Sequence, residues 1–381
     1  MNVPISYSDA GWARYLSMRV RSRHASDSLD RLRRLVAGSS SADRVLLLNS
    51  GRAALMTALG AMSASGDGRR VVVVPAYVCP SVVSAVQRLG LVPRFAPVDS
   101  DLNMITDALT RCLAPDVLAV VAVHTYGFPA DVGQIERIVD GRNVLVVDDA
   151  AHCIPGDPTP GAPGTRGAAG IFSFAMSKAV SNGYSGRGGI LLLNDQSLSA
   201  RAESLCRGLG VCATSAWDDL YFVATCLWEP VFARLPWSAQ SRIQRALARR
   251  SVDPWVPARM SSADAALALE QLRTGAADRE VRAARIRTVL AAVPDGPAFW
   301  FPHRARPDRL TRLAVCLRPR LSAERIRRLG ADAGMTVRVG YDMPHGKPLP
   351  FGTLIEIPLG AAWSAARLTN LASALGSIRM E

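Results

Sequence analysis

Lysine is almost missing from this 381-residue sequence. Of its 45 lysine and arginine residues only Lys178 and Lys347 are lysine. Arginine meets nearly every need for positive charge, so a retained lysine asks for a chemical reason. Long apolar runs are missing too: none reaches the roughly 18 uncharged residues of a membrane-spanning helix. The opening residues, MNVPISYSDAGWARY, have neither a basic nor an apolar leader region, so secretion by signal peptide is not expected. The seven cysteines (Cys79, Cys112, Cys153, Cys206, Cys212, Cys226 and Cys316) are odd in number and contain no C-x-x-C pair. That argues against a disulfide framework or a zinc site and for a reducing cytoplasm. Helix-turn-helix spacing, zinc-finger spacing and aromatic-interleaved basic runs are absent as well. The net charge of +13 therefore reads first as arginine on solvated faces, second as attraction for anionic substrates, and not as a nucleic-acid footprint.

What is present is a core. Hydrophobic residues make up 49% of the chain and charged residues 20%, the balance of a soluble globular protein. In the first half, apolar β-branched runs alternate with helical patterns: VLLLN (45–49), VVVVPAY (71–77), VLAVVAVH (117–124), VLVVDDA (144–150), IFSF (171–174) and GILLLN (189–194). Strands apolar along their whole length, separated by amphipathic helices, predict an α/β unit with a mostly parallel central sheet covered on both faces. Ligands of such sheets sit at the carboxyl ends of the strands. Residues 262–293 read as a long amphipathic helix broken near Gly275. The remainder follows a β-α-β-β-α order suited to a smaller C-terminal α/β unit. The expected division is 1–215 for the large unit and 216–381 for the small unit with interface helices. The apolar stretch 220–237 reads as a buried helix pair, a dimer contact or a lid over an apolar substrate.

Three features fall at predicted strand ends. NSGRAAL (49–55) gives a strand, a turn at Gly51 and a helix start carrying Arg52, whose free N–H groups suit phosphate. VVDDAAH (146–152) ends a strand with two acids and adds His152. A carboxylate there either caps the next helix or holds a cationic ring nitrogen, as the pyridinium of pyridoxal 5′-phosphate (PLP) requires. FSFAMSK, followed by GRGG, places Lys178 after a strand and before a glycine-rich loop. A primary amine can form an imine with an aldehyde; a guanidinium cannot.

Taken together, these segments resemble the DegT/DnrJ/EryC1/StrS family of PLP-dependent sugar aminotransferases, of fold type I. SGRAAL is similar to the family's SGTAAL turn, residues 75–99 to its P-A-Y-T-F segment, and VHTYGFPADV (123–132) to V-H-x-Y-G-x-P-A-D-M. VVDDAAH resembles I-E-D-A-A-Q/H, and FSFAMSK resembles S-F-x-x-x-K. RMSSADAALALEQL (259–272) and IPLGAAWS (357–364) resemble two later motifs. The resemblance implies Lys178 as the Schiff-base lysine, Asp149 rather than Asp148 as the pyridinium partner, and His152 near the ring hydroxyl. It further implies Ser173, with Gly51 and Arg52, at the phosphate. Where the family stacks an aromatic on the ring, this chain has Cys79, with Tyr77 as a substitute. Pro257 replaces an asparagine that reaches the partner subunit's phosphate, Arg187 stands where an acid is common, and the usual R-N-H-G is not evident. The implied activity moves an amino group from a small-molecule donor, glutamate by resemblance, to a keto acceptor such as a nucleotide-linked keto-sugar, in a homodimer. Two other readings stay open: a PLP enzyme acting on a non-sugar amine or ketone, and a non-catalytic basic binding protein on the same fold.

Overall fold

In the computed structural model the described residues are 17–18, 20–21, 27–40, 42–157, 159–175, 178–182, 187–212, 255–333, 337–341, 349–357 and 364–378. The stretch 220–237 and Lys347 lie outside them.

The apolar runs form one seven-stranded sheet. Its strands are β1 (Arg44–Leu48), β2 (Val71–Pro75), β3 (Val92–Ala96), β4 (Val117–Val123), β5 (Leu145–Asp149), β6 (Ala169–Ser173) and β7 (Gly189–Leu193). Their order across the sheet is β1-β7-β6-β5-β4-β2-β3. Neighbours from β3 to β6 pair parallel, whereas β7 runs antiparallel to both β6 and β1. Burial is complete along β2, β6 and β7, because helices cover both faces. Strand β3 is only half-buried and carries Pro93 and Arg94; as an edge strand it tolerates a residue that cannot donate to the ladder.

Helices α1 (Ser28–Ala37), α2 (Gly51–Ser63), α3 (Pro80–Arg88), α4 (Thr106–Leu109), α5 (Val132–Val139) and α6 (Gln196–Cys206) belong to this layer. The predicted break in 262–293 is real: α7 (Ser262–Leu272) and α8 (Gly275–Ala292) meet at Arg273 and Thr274. Although it lies beyond residue 215, α7 packs on the large sheet. Its Ala265 and Ala268 share a cluster with Leu32 and Val36 of α1 and with Phe172 and Phe174.

A second sheet, all antiparallel, has the order β10-β11-β9-β8. It is built from β8 (Phe299–Trp300), β9 (Leu313–Leu317), β10 (Arg338–Val339) and β11 (Thr353–Ile357), with α9 (Ala323–Asp332) and α10 (Ala365–Gly376). Its apolar face does not close on itself. Tyr77, Val98, Leu102 and Tyr126, from loops beyond β2, β3 and β4, pack into the same cluster as Leu313, Val315, Leu354 and Ile355. Burying each such side chain stabilises the joint by roughly 1.5–3 kcal/mol. The two units therefore meet at the carboxyl edge of the large sheet.

Candidate active site

Strands β1, β2, β4, β5 and β6 point the same way, so residues at their ends converge. One end of the cleft is an anion cradle. Ser50 caps α2, its Oγ accepting from the Ala53 N–H at 3.0 Å, and leaves the first-turn amides facing outward. Gly51 lies so close to β6 that an added Cβ would come within 2.6 Å of the Ser173 Cβ and 2.9 Å of its Oγ. The backbone amides at the start of α2 and the Ser173 hydroxyl thus lie side by side at the strand ends, donors that could hold one anion. On its rim, Arg52 donates from Nε to Ser81 Oγ at 3.3 Å, and its guanidinium lies 5.3 Å from the Trp255 ring.

The two acids of β5 have opposite fates because successive side chains leave a strand on opposite faces. Asp148 is fully committed: one oxygen pairs with His124 Nε2, and the other accepts from the Gly164 and Arg166 N–H groups at 2.8 and 3.1 Å. Asp149, 5% exposed, accepts from the Ala151 N–H at 3.0 Å. Burial raises its carboxyl above the usual range, and the Ala151 N–H and the Lys178 cation work against that rise. Such a carboxylate suits a bound cation. Three residues on, buried His152 faces Tyr341, its Nε2 3.3 Å from the Tyr341 hydroxyl.

Lys178 follows β6 in a turn, its N–H donating to Ala175 O at 2.9 Å. The residue as a whole keeps partial solvent access, yet its amine end is crowded by protein. Burial is the largest influence and pulls the amine from 10.5 down to about 8. Arg312 adds to the pull; Cys79, Asp149 and Glu356 oppose it. Of the two residues expected at a cofactor's ring face, Cys79 is half-buried at the start of α3 and acts electrostatically on Lys178. Tyr77 is fully buried in the seam, its hydroxyl 2.6 Å from that of Tyr126.

The residues flanking the loop beyond Lys178 are fastened down by contacts that motif matching did not show. The Asn182 side-chain amide donates to Arg187 O at 2.9 Å and to Asp264 O at 2.8 Å. Gln271 of α7 accepts from the Ser181 N–H at 2.8 Å and donates to Asn182 Oδ1 at 3.1 Å. Arg187 is itself buried, its Nε 3.5 Å from Asp264 Oδ1. It anchors this loop to α7. Asn49 does similar work before α2: its side chain donates to Val256 O at 2.9 Å and accepts from the Ala258 N–H at 3.0 Å. Pro257 thus sits in a segment clamped beside the cradle. The NSG context of Asn49 marked a turn; only the structure shows the clamp.

These residues suit PLP. The cradle with Ser173 matches its phosphate, the buried Asp149 carboxylate its ring nitrogen, and the lowered Lys178 amine its aldehyde.

Over 158 residues, 41% of this chain, the sequence is 33% identical to the L-glutamine:2-deoxy-scyllo-inosose aminotransferase of Streptomyces kanamyceticus, of which the match covers 36%. A UDP-N-acetyl-3-dehydro-alpha-D-glucosamine 3-aminotransferase of Acidithiobacillus ferrooxidans is 32% identical over 45% of each chain. The matched stretch spans less than half of either relative. The solved structure of DesV from S. venezuelae superposes with a TM-score of 0.70 over 97% of this chain and 95% of its own, at 19% identity; the shared architecture is that of fold type I transferases. Residues 24–369 match the DegT/DnrJ/EryC1/StrS aminotransferase family model, and the chain belongs to that family.

Proposed function

We propose that this chain is a PLP-dependent aminotransferase that moves an amino group from a donor such as glutamate or glutamine to the keto group of a sugar or cyclitol. The observation that supports the reading is the electrostatic coupling of Lys178, its amine pulled to about 8 by burial, to the buried Asp149 carboxylate, beside strand ends that also carry Gly51 and Ser173 in close approach. The activities named for both relatives, on keto-cyclitol and UDP-keto-sugar acceptors, support the acceptor class. A net charge of +13 is consistent with an anionic nucleotide sugar. By the same family membership the working unit is read as a homodimer.

Gly51, Ser173 and the α2 amides would hold the phosphate, with Arg52 adding charge; Asp149 and His152 would hold the ring. PLP, when bound, supplies an electron sink for the carbon that bears the amine. The protein does the rest. Asp149 stays ionised opposite a cationic nitrogen, which relieves the burial that otherwise raises it. The Lys178 amine accepts and returns a proton, a role its lowered basicity suits near neutral pH.

To test this, the protein is loaded with PLP, reduced with borohydride and digested. Label is expected on Lys178 alone, and label elsewhere removes the mechanism. A panel of L-glutamate and L-glutamine against keto-cyclitols, nucleotide-linked keto-sugars and simple ketones then tests the acceptor. Turnover confined to non-sugar ketones would overturn the sugar reading while leaving the transaminase intact.

A further inference from the structure

From His152 a series of buried polar groups runs into the seam between the two sheets. Tyr77, Tyr126, Arg312 and Glu356 are each 2% exposed or less and come from separate segments. The Tyr341 N–H donates to the Tyr77 hydroxyl at 3.2 Å. Tyr77 and Tyr126 share a hydrogen bond of 2.6 Å. The Tyr126 hydroxyl donates to Glu356 Oε1 at 3.1 Å, and Glu356 Oε2 lies 2.8 Å from Arg312 Nη1. The end of the chain sets its direction. A carboxylate paired with arginine only accepts, so Tyr126 donates to Glu356 and must accept from Tyr77. Tyr77 in turn accepts from Tyr341. Burial keeps all three phenols protonated, well above their ordinary range.

The backbone is committed to this arrangement. Tyr126 has φ +56°, a left-handed conformation that a bulky residue adopts only where its surroundings hold it there. It is held there by Thr311, whose N–H and Oγ1 both donate to Tyr126 O, at 2.8 and 3.0 Å. The Arg312 guanidinium lies 5.3 Å from the Tyr126 ring. Both of the outer tyrosines meet His152: the Tyr126 ring edge-on at 5.7 Å and the Tyr341 hydroxyl at 3.3 Å. A buried ion pair is weak support for stability, since apolar residues of like volume often serve as well. Its position at the end of an ordered chain leading to His152 points to a different task.

We propose that Glu356 is a positioning residue for the reaction, acting through Tyr126 and Tyr77 to set the Tyr341 hydroxyl on His152. This rests on the aminotransferase reading, in which His152 touches the cofactor. Arg312 pairs with Glu356 and fixes it, so the small unit orients a residue of the large one.

The full chain, labelled with 15N in its histidine rings, supplies a test that needs no cofactor or donor. His152 is assigned by the signal lost in His152→Asn. Tyr341→Phe is expected to move the His152 Nε2 resonance. Tyr126→Phe, which keeps the volume and leaves the Arg312–Glu356 pair in place, is expected to move it in the same direction. The double variant should move it no further than either single one, because both cut one path. In the PLP-loaded protein, the same variants should slow the single-turnover reaction with L-glutamate about tenfold, again without adding. A His152 resonance that stays put in Tyr126→Phe, or shifts that add in the double variant, would overturn the proposal. Failure of the wild type to form a visible cofactor band would instead sink the aminotransferase reading, and the resonance data would still decide the role of Glu356 in placing His152.

Discussion

Lys178 shows how much one side chain's chemistry depends on where it is put. An amine at about 8 is roughly one-tenth neutral at pH 7, against about one part in three thousand at 10.5. The neutral form attacks an aldehyde, so the rate of PLP capture by the apoprotein, followed as a visible band, should rise tenfold per pH unit and level off near pH 8. A break near pH 10 would show that burial does not act on this amine. Lys178→Arg should form no band at any pH, since a guanidinium stays charged. Gly51 is a second single-residue case. Alanine is the better helix former by about 1 kcal/mol, yet its Cβ would stand 2.6 Å from the Ser173 Cβ. Overpacking of that kind costs about 1–3 kcal/mol and fills the cradle. Gly51→Ala should therefore lower the melting temperature and weaken PLP retention on dialysis; unchanged retention would mean the phosphate does not sit there.

Among the elements, those made by local pattern were legible in the sequence and those made by distant partners were not. The apolar runs ending at Asn49, Tyr77, His124 and Ala150 became β1, β2, β4 and β5 within two residues, because burial on both faces leaves a continuous apolar signature. The break before Gly275 was visible in the same way. Strand β3 gave no such run: Pro93 and Arg94 suit an edge and hide it. The family resemblance also led to Lys178, Asp149 and Ser173, which lie at or just beyond strand ends. It could not show why Arg187 departs from an expected acid, since the reason lies 77 positions away. Asp264 of α7 lies opposite it in the core, both side chains 1% exposed. Removing one charge of a buried pair typically costs about 3–5 kcal/mol. Asp264→Asn should lose that much in urea unfolding, and should loosen Asn182, the loop's other tie. Protease cutting at 179–182 in the folded protein would report the loosening; a stability loss under 1 kcal/mol would show that Arg187 is not held by this charge.

At the scale of the whole molecule, the site exists because two sheets meet, and the joint has its own acid sensitivity. Loop 99–103 of the large unit docks on residues 300–303 of the small one: Trp300 Nε1 donates to Ser100 O at 3.0 Å and the His303 N–H to Asp101 Oδ1 at 2.8 Å. His303, 1% exposed, stacks on Phe128 with ring centroids 3.8 Å apart. Neither of its ring nitrogens has a hydrogen-bond partner among the described residues. Burial pushes the imidazole from 6.5 down to about 4, with Asp101 opposing. Above pH 6.5 the ring is neutral in both folded and unfolded chains and contributes no pH dependence. Between 6.5 and about 4 the unfolded chain takes up a proton that the folded one refuses, so stability falls as pH falls. Below about 4 both forms are protonated and the loss levels off, at a total on the order of 3–4 kcal/mol. His303 has φ +61°, a conformation that asparagine also tolerates. In urea titrations from pH 7.5 to 4, His303→Asn should therefore remain folded and show a shallower decline than the wild type across that window. The same decline in both proteins would place the acid-sensitive group elsewhere. A steeper loss in the variant at pH 7.5 than at pH 4 is expected too, because the Phe128 stack is lost at every pH while the titration penalty is removed only in acid. That difference separates the packing of the joint from its charge.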